Sequence, residues 1–226
     1  MKYMYISKND PSFGRIYVKV PVKWDPPRLG AFKLNTDGAC GGVSGKSVLR
    51  GVIRDHEGNW VMCYYSAAPC TTPLHAELLA LIKVLQLAVT NNIKLIKIGI
   101  DSVELTHMFQ TDNGHYHNVL FICRSLMRAT QAIPPHHIFR EQNMVADALA
   151  KLGLTERNYE ATHILSTPPP SVDALVQADK LGTSSFHLIN LKFINLVRRD
   201  VATNSLNSTT QHAQGLTAVE HPFAIT

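Results

Sequence analysis

The apolar residues of this chain change their repeat once, and that change limits what the chain can fold into. From Phe32 to Thr36 the pattern alternates, with Phe32, Leu34 and Thr36 set against Lys33 and Asn35. A period of two predicts a strand with one buried face. Val48–Arg54 and Trp60–Ser66 read as two more strands, and Asp55-His56-Glu57-Gly58-Asn59 between them is a tight-turn sequence. The three strands should form an antiparallel meander. After Thr72-Pro73 the repeat lengthens: Leu78, Leu81, Ile82, Leu85, Ala88 and Val89 recur at helical spacing. Thr72 suits the N-cap, Pro73 the first helical position, and Asn91-Asn92 the end.

The pattern then alternates between element types. Ile93–Ile100 reads as a buried strand that ends at Asp101, Val103–Phe109 as a short helix and Val119–Ala132 as a longer one. Pro134-Pro135 opens a strand through Phe139, and Asn143 is placed to cap a helix, Met144–Leu152, that Gly153 would close. The fold class is therefore α/β: a five-stranded mixed sheet, three antiparallel strands followed by two parallel additions, with helices on both faces. Residues 1–30, broken by Pro11, Pro21, Pro26 and Pro27, read as an irregular lead-in to a domain spanning 31–154. Residues 155–181 form a flank in which Pro168–Pro170 precedes a short helix, Val172–Ala178. Residues 182–226 read as a disordered extension, because Thr203 to Gly215 is polar and poor in order-promoting residues.

Composition excludes some function classes. With 226 residues, 45% hydrophobic and 17% charged, the chain reads as an ordinary globular protein. Its longest apolar stretch, Leu78 to Val89, is interrupted by Lys83 and Gln86, so no membrane span is expected. No signal-peptide pattern opens the chain. Cys40, Cys63, Cys70 and Cys123 form no CxxC pair, which suits reduced thiols in the nucleus or cytoplasm. The net charge of +5 sits in the lead-in: residues 1–33 hold seven Lys/Arg against Asp10 and Asp25. Nothing indicates an oligomer, and a monomer is expected.

Four carboxylates stand out. Asp37 ends a strand before Gly38, Glu77 lies early in a helix, Asp101 ends a buried strand and Asp147 sits one turn into the last helix. Singly, each has a plain reading: a turn former for Asp37, helix-dipole stabilisation for Glu77 and Asp147. Asp101 is the exception, since an unpaired carboxylate at a buried strand end is costly. In a sheet of this order the first and fourth strands are neighbours, which places Asp37 beside Asp101 with the two helix-borne acids in reach. Carboxylates gathered this way need protons or cations. Oxygen ligands without Cys or His at ligand spacing favour Mg²⁺, or Mn²⁺, over zinc.

At these residues the sequence resembles a known family. Lys33-Leu34-Asn35-Thr36-Asp37-Gly38-Ala39-Cys40, His75-Ala76-Glu77-Leu78, Ile100-Asp101-Ser102 and Arg140-Glu141-Gln142-Asn143 leading into Ala146-Asp147-Ala148-Leu149-Ala150 resemble type 1 ribonuclease H. The likeness is to the plant branch related to the ribonuclease H, reverse-transcriptase-like, domains of non-LTR retroelements. Trp24, Pro26-Pro27 and Pro168–Pro170 resemble that branch's flanks. The resemblance implies a ribonuclease H-like fold and a two-metal endonuclease that cuts the RNA strand of an RNA–DNA hybrid. It implies Asp37, Glu77, Asp101 and Asp147 as the ligands of two Mg²⁺ ions, with Mn²⁺ an alternative. Gly38, Gly41, Ser102, Asn143 and Arg140 become candidates for contact with nucleic acid. An alternative is a catalytically weak or inactive nucleic-acid-binding module of the same descent.

Three departures from the family pattern matter. His137 stands ten positions before Asp147, as a mobile histidine does in bacterial members, and is a candidate catalytic residue for proton transfer, while the contracted Arg140–Asn143 loop would equally make it a plain strand residue. Asp112–Asn118, where some relatives carry a basic helix that grips the hybrid, holds no Lys or Arg. The small residues expected after Gly42 are partly replaced by Lys46 and Leu49-Arg50, which alters the first hairpin.

Overall fold

The computed structural model describes residues 5–7, 17–41, 46–69, 72–111, 114–155 and 162–190. In chain order the elements are β1 (Tyr5–Ser7), β2 (Tyr17–Val22), β3 (Phe32–Gly41), β4 (Lys46–Arg54), β5 (Trp60–Pro69), α1 (Pro73–Thr90), β6 (Ile96–Ile100), α2 (Val103–Met108), α3 (His117–Ala129), β7 (His136–His137), α4 (Met144–Thr155), β8 (His163–Leu165), α5 (Pro170–Lys180) and β9 (Ser185–Asn190). They divide between two compact units, one being Pro21–Ser185 and the other drawing on Met1–Val20 and Phe186–Thr226.

The Pro21–Ser185 unit is built on a six-stranded sheet in the order β7-β6-β3-β4-β5-β8. β3, β4 and β5 form the antiparallel meander, and β6 adds parallel to β3. The meander's turn works as its sequence demands. Asp55 Oδ1 accepts from the amides of Glu57 and Asn59, while Gly58 takes a φ of +80° that other residues adopt at a cost. β7 extends the parallel side beside β6. The sixth strand was not expected: β8, from the Pro-containing flank, pairs antiparallel with β5 through Cys63↔Leu165 and Tyr64↔Ile164. It is three residues long, too short for a period to show.

Thr72 caps α1, its Oγ1 accepting from the His75 amide at 3.0 Å, and Pro73 opens the helix. By length and composition alone, this 18-residue helix would suffice to cross a membrane, contrary to the sequence expectation. Here its apolar face packs on the sheet, with Leu78, Leu81, Val84 and Leu85 joining Leu34, Ile53 and Ile98 in the larger core. A smaller core joins α4 and α5 to the sheet, through Val145, Leu149, Val172 and Val176 against Val52 and Cys63.

The second core overturns one expectation. Lys33 and Asn35 were placed on an exposed face, yet each is only 1% exposed. Residues i and i+2 of a strand share a face, so a face covered by packed helices buries whatever lies on it. Here it is satisfied by polar partners: the Trp24 indole N–H and Arg54 both donate to Asn35 Oδ1 (3.0 and 3.3 Å), and Lys33 Nζ donates to the Asp25 carbonyl oxygen at 3.1 Å. Other boundaries move as well: β3 runs past Asp37 to Gly41, β6 begins at Ile96 rather than Ile93, and β7 is reduced to His136–His137. α4 runs past Gly153 to Thr155, and α5 begins at Pro170 rather than Val172.

In the other unit, β1, β2 and β9 form a three-stranded sheet with β2 in the centre. The lead-in is therefore not irregular throughout, nor is the stretch after residue 182 uniformly without structure. In β2 the valines 18, 20 and 22 recur at every second position and outweigh Pro21. The expectation of disorder over Thr203–Gly215 lies outside the described residues, as does Cys70.

Candidate metal centre

Strand register brings the first two acids together. β3 and β6 run parallel with Phe32 opposite Ile96 and Asn35 opposite Gly99, an offset of 64, and the same offset carries Asp37 (37 + 64) to Asp101. Glu77 arrives from the other direction, on the second turn of α1, because Gly38 has no side chain. A Cβ on Gly38 would sit 2.3 Å from the Ala76 carbonyl carbon, so only glycine lets the helix start lie against the strand. Ligand oxygens of Asp37, Glu77 and Asp101 consequently lie within 4.8 Å of one another.

Their electrostatics follow from that crowding. Burial first, then the charges of Asp37 and Asp101, push the Glu77 carboxyl up to about 9, against an accepted bond from the Gly38 amide. At neutral pH Glu77 is a neutral acid until a cation arrives. Its Oε2 is buried and meets no hydrogen-bond donor among the described residues. Asp101 is also raised, by burial and then by Asp37, while the Asn143 amide and Arg140 oppose the rise. A hard cation fits such a site: the donors are all carboxylate oxygens, one is buried and orphaned, and the proton held on Glu77 stands where positive charge is needed.

A family model described as reverse transcriptase-like matches residues 35–153, which is more than half of the chain and contains all three acids. The chain belongs to the reverse transcriptase-like family. A provisionally named ribonuclease H protein of Arabidopsis thaliana is 26% identical over 167 residues; the match covers 72% of this chain, which spans about a quarter (26%) of that relative's length. Among solved structures, ribonuclease H1 of the halophilic archaeon Halobacterium salinarum superposes with a TM-score of 0.51 at 25% identity, over 55% of this chain and 98% of that one. The ribonuclease H domain of a Mycobacterium tuberculosis protein is more distant, at 20% identity and a TM-score of 0.48, over 54% and 91%. The fold is that of ribonuclease H, with β8 as a sixth strand.

The remaining candidates of this reverse transcriptase-like chain are placed unequally. Asp147 lies in the first turn of α4 but is exposed and stands outside the trio. His137 is exposed on β7, its ring edge-on to Phe139 with centroids 5.6 Å apart, and is likewise outside the trio. Ser102 caps α2, accepting from the Leu105 amide at 3.1 Å. Asn143 does not cap α4 with its side chain, as the sequence suggested. Its amide instead donates to the Thr36 carbonyl oxygen at 3.1 Å and reaches Asp101, which fastens the start of α4 to the middle of β3. Arg140 is 91% exposed, with its Nε 3.9 Å from Asp101 Oδ2. Gly41 ends β3, paired with Lys46.

One residue of the centre was not foreseen in this role. Arg50 stands directly across β4 from Asp37, buried to 4% exposure, and two of its N–H groups, from Nε at 2.9 Å and from NH2, donate to Asp37 Oδ2. The signal available in the sequence was an arginine where the family pattern expects a small residue.

Proposed function

We propose that this domain hydrolyses the RNA strand of an RNA–DNA hybrid with the help of divalent metal held by Asp37, Glu77 and Asp101. The observation that carries the reading is the meeting of three carboxylates from β3, α1 and the end of β6 within 4.8 Å, one of them with a buried oxygen lacking a donor. Bound Mg²⁺ or Mn²⁺ supplies a water of lowered pKa and charge stabilisation for phosphodiester cleavage. The chain's own residues prepare that site. Gly38 sets the spacing between Asp37 and Glu77, and Asn143 fixes Asp101 against β3. Glu77 gives up its proton when a cation loads. Asp147, exposed on the first turn of α4 and outside the trio, is the fourth carboxylate that the family resemblance implies, and its part in this reading is to join the ligand set only when metal and substrate are bound. Arg140, almost wholly exposed beside Asp101, is suited to a phosphate, and the Ser102 hydroxyl keeps a hydrogen to donate to a 2′-hydroxyl.

A labelled hybrid incubated with Mg²⁺ tests this directly. Cleavage of the RNA strand, lost by at least about 100-fold in Asp101→Asn, is the expected outcome. Equal cleavage by the wild type and this variant overturns the assignment. A second reading, a binding module without turnover, is favoured by one observation: the Arg50 guanidinium already neutralises Asp37. Hybrid retained at low salt with no product in Mg²⁺ or Mn²⁺ would select it.

A further inference from the structure

The Arg50–Asp37 pair has the geometry of a filled cation position. It sits inside the centre, at the antiparallel register pair Asp37↔Arg50, with Arg50 4% and Asp37 13% exposed. Two N–H groups of the arginine converge on a single oxygen, Oδ2, and occupy lone pairs of that oxygen that a metal ion bridged by the carboxylate would otherwise take. The backbone beneath the pair is also fixed. Thr36 Oγ1 donates to the Arg50 carbonyl oxygen at 2.9 Å, and the Thr36 carbonyl oxygen accepts from Asn143 at 3.1 Å. The strand positions that carry the pair are thus fixed, and the guanidinium is held against Asp37 in a buried position.

We propose that Arg50 is a resident cation of this centre, taking the place of one of two divalent ions at Asp37, so that the free protein binds a single divalent ion, chiefly through Glu77 and Asp101. The inference rests on the metal reading given above and goes beyond it in ion count and in the role of Arg50. Charge supports it. Once a cation has displaced the Glu77 proton, the three carboxylates of the trio and one guanidinium leave two negative charges, which a single dication balances. A second dication would leave a buried excess of positive charge beside an arginine that cannot lose its proton. The orphaned, buried Oε2 of Glu77 marks where the one ion is still wanted, since Asp37 Oδ2 already has a cation beside it, whereas Glu77 Oε2 meets no donor among the described residues.

Isothermal titration of Mn²⁺ into the metal-stripped full chain tests the proposal without reference to turnover. One equivalent is expected for the wild type. Arg50→Ala should take up a second equivalent, or bind the first at least about tenfold more tightly, because Asp37 is freed and the local positive charge removed. Arg50→Lys keeps the charge and should stay at one equivalent. Circular dichroism establishes that each variant is folded. If Arg50→Ala fails to fold, the wild-type and lysine stoichiometries still decide: two equivalents in either overturns the proposal. Identical stoichiometry and affinity in wild type and folded Arg50→Ala overturn it as well. Uptake of no ion by any of the three proteins removes the metal reading of the trio and this inference together. Two equivalents in the wild type leave the metal reading standing and sink only the role given to Arg50.

Discussion

Substituting Glu77 by glutamine should stabilise the metal-free protein, by an amount that grows with pH. In the folded chain Glu77 keeps its proton up to about pH 9, whereas in the unfolded chain it loses it near the usual 4.5. Between those values the folded state binds more protons than the unfolded one, so stability falls as pH rises, by about 1.4 kcal/mol per unit. At pH 7 the interval above 4.5 is 2.5 units, a cost of about 3 kcal/mol that depends only on Glu77 being neutral when folded. Glutamine is neutral in both states and is spared this cost. For a chain of this length that is a rise in Tm of roughly 6–12 °C. Thermal denaturation in EDTA at pH 5, 6, 7 and 8 reads it: the two curves should nearly meet at pH 5 and separate steadily above. Asp101, raised in the same direction, leaves the variant a shallower slope of its own. Excess Mg²⁺ should restore the wild type and leave Glu77→Gln little changed. Melting temperatures that run parallel across the pH series would refute the crowded, protonated picture of the centre.

Two other perturbations probe the supports of the site. Gly38→Ala places a methyl group 2.3 Å from the Ala76 carbonyl carbon, with only backbone to yield; a loss of about 2 kcal/mol in urea unfolding and a roughly 10–100-fold weaker Mn²⁺ affinity are expected as α1 is pushed from β3. Asp179→Ala leaves Arg54, 1% exposed, without the carboxylate it meets at 2.7 Å; urea unfolding should show a loss of about 3 kcal/mol with metal affinity unchanged.

Much of the framework was legible because it depends on local chemistry. The alternation from Phe32, the Asp55–Asn59 turn and the Thr72-Pro73 helix start each rest on residues close together in sequence, and the structure contains all three. The neighbouring of β3 and β6 followed from topology, and with it the approach of Asp37 to Asp101. What could not be read depends on contacts distant in sequence. β8 pairs with β5 across about 100 residues, and its three residues carry no pattern of their own. Arg50 was visible as a departure from the small residues expected in the hairpin, but only the register turns it toward Asp37. Asn143 looked like a helix cap because its type suits that place. Its amide is spent on Thr36, 107 residues away.

The burial of Lys33 and Asn35 also changes where the domain ends. The face they share is closed by Trp24 from the lead-in and by α5 from the flank. Trp24 donates to Asn35, the Arg54 guanidinium lies 4.0 Å from the Trp24 ring centroid, and Asp179 of α5 accepts from Arg54. Burial first, then Lys97, pushes the Lys33 amine down to about 8, against the pull of the Asp25 and Asp179 charges, and its hydrogen bond goes to the Asp25 carbonyl oxygen. Unpaired, these groups could not remain in an apolar interior. A domain cut at residues 31–154 would therefore lose Trp24, Asp25 and Asp179 together and expose Arg54 and Lys33 to partnerless burial or to solvent. The strand bearing Asp37 is the same strand bearing Lys33 and Asn35, so the flanking segments bury polar groups two and four residues from that carboxylate. The segments on either side of the family match thus complete the fold around β3, while among the described residues the acidic trio itself is drawn from within the match.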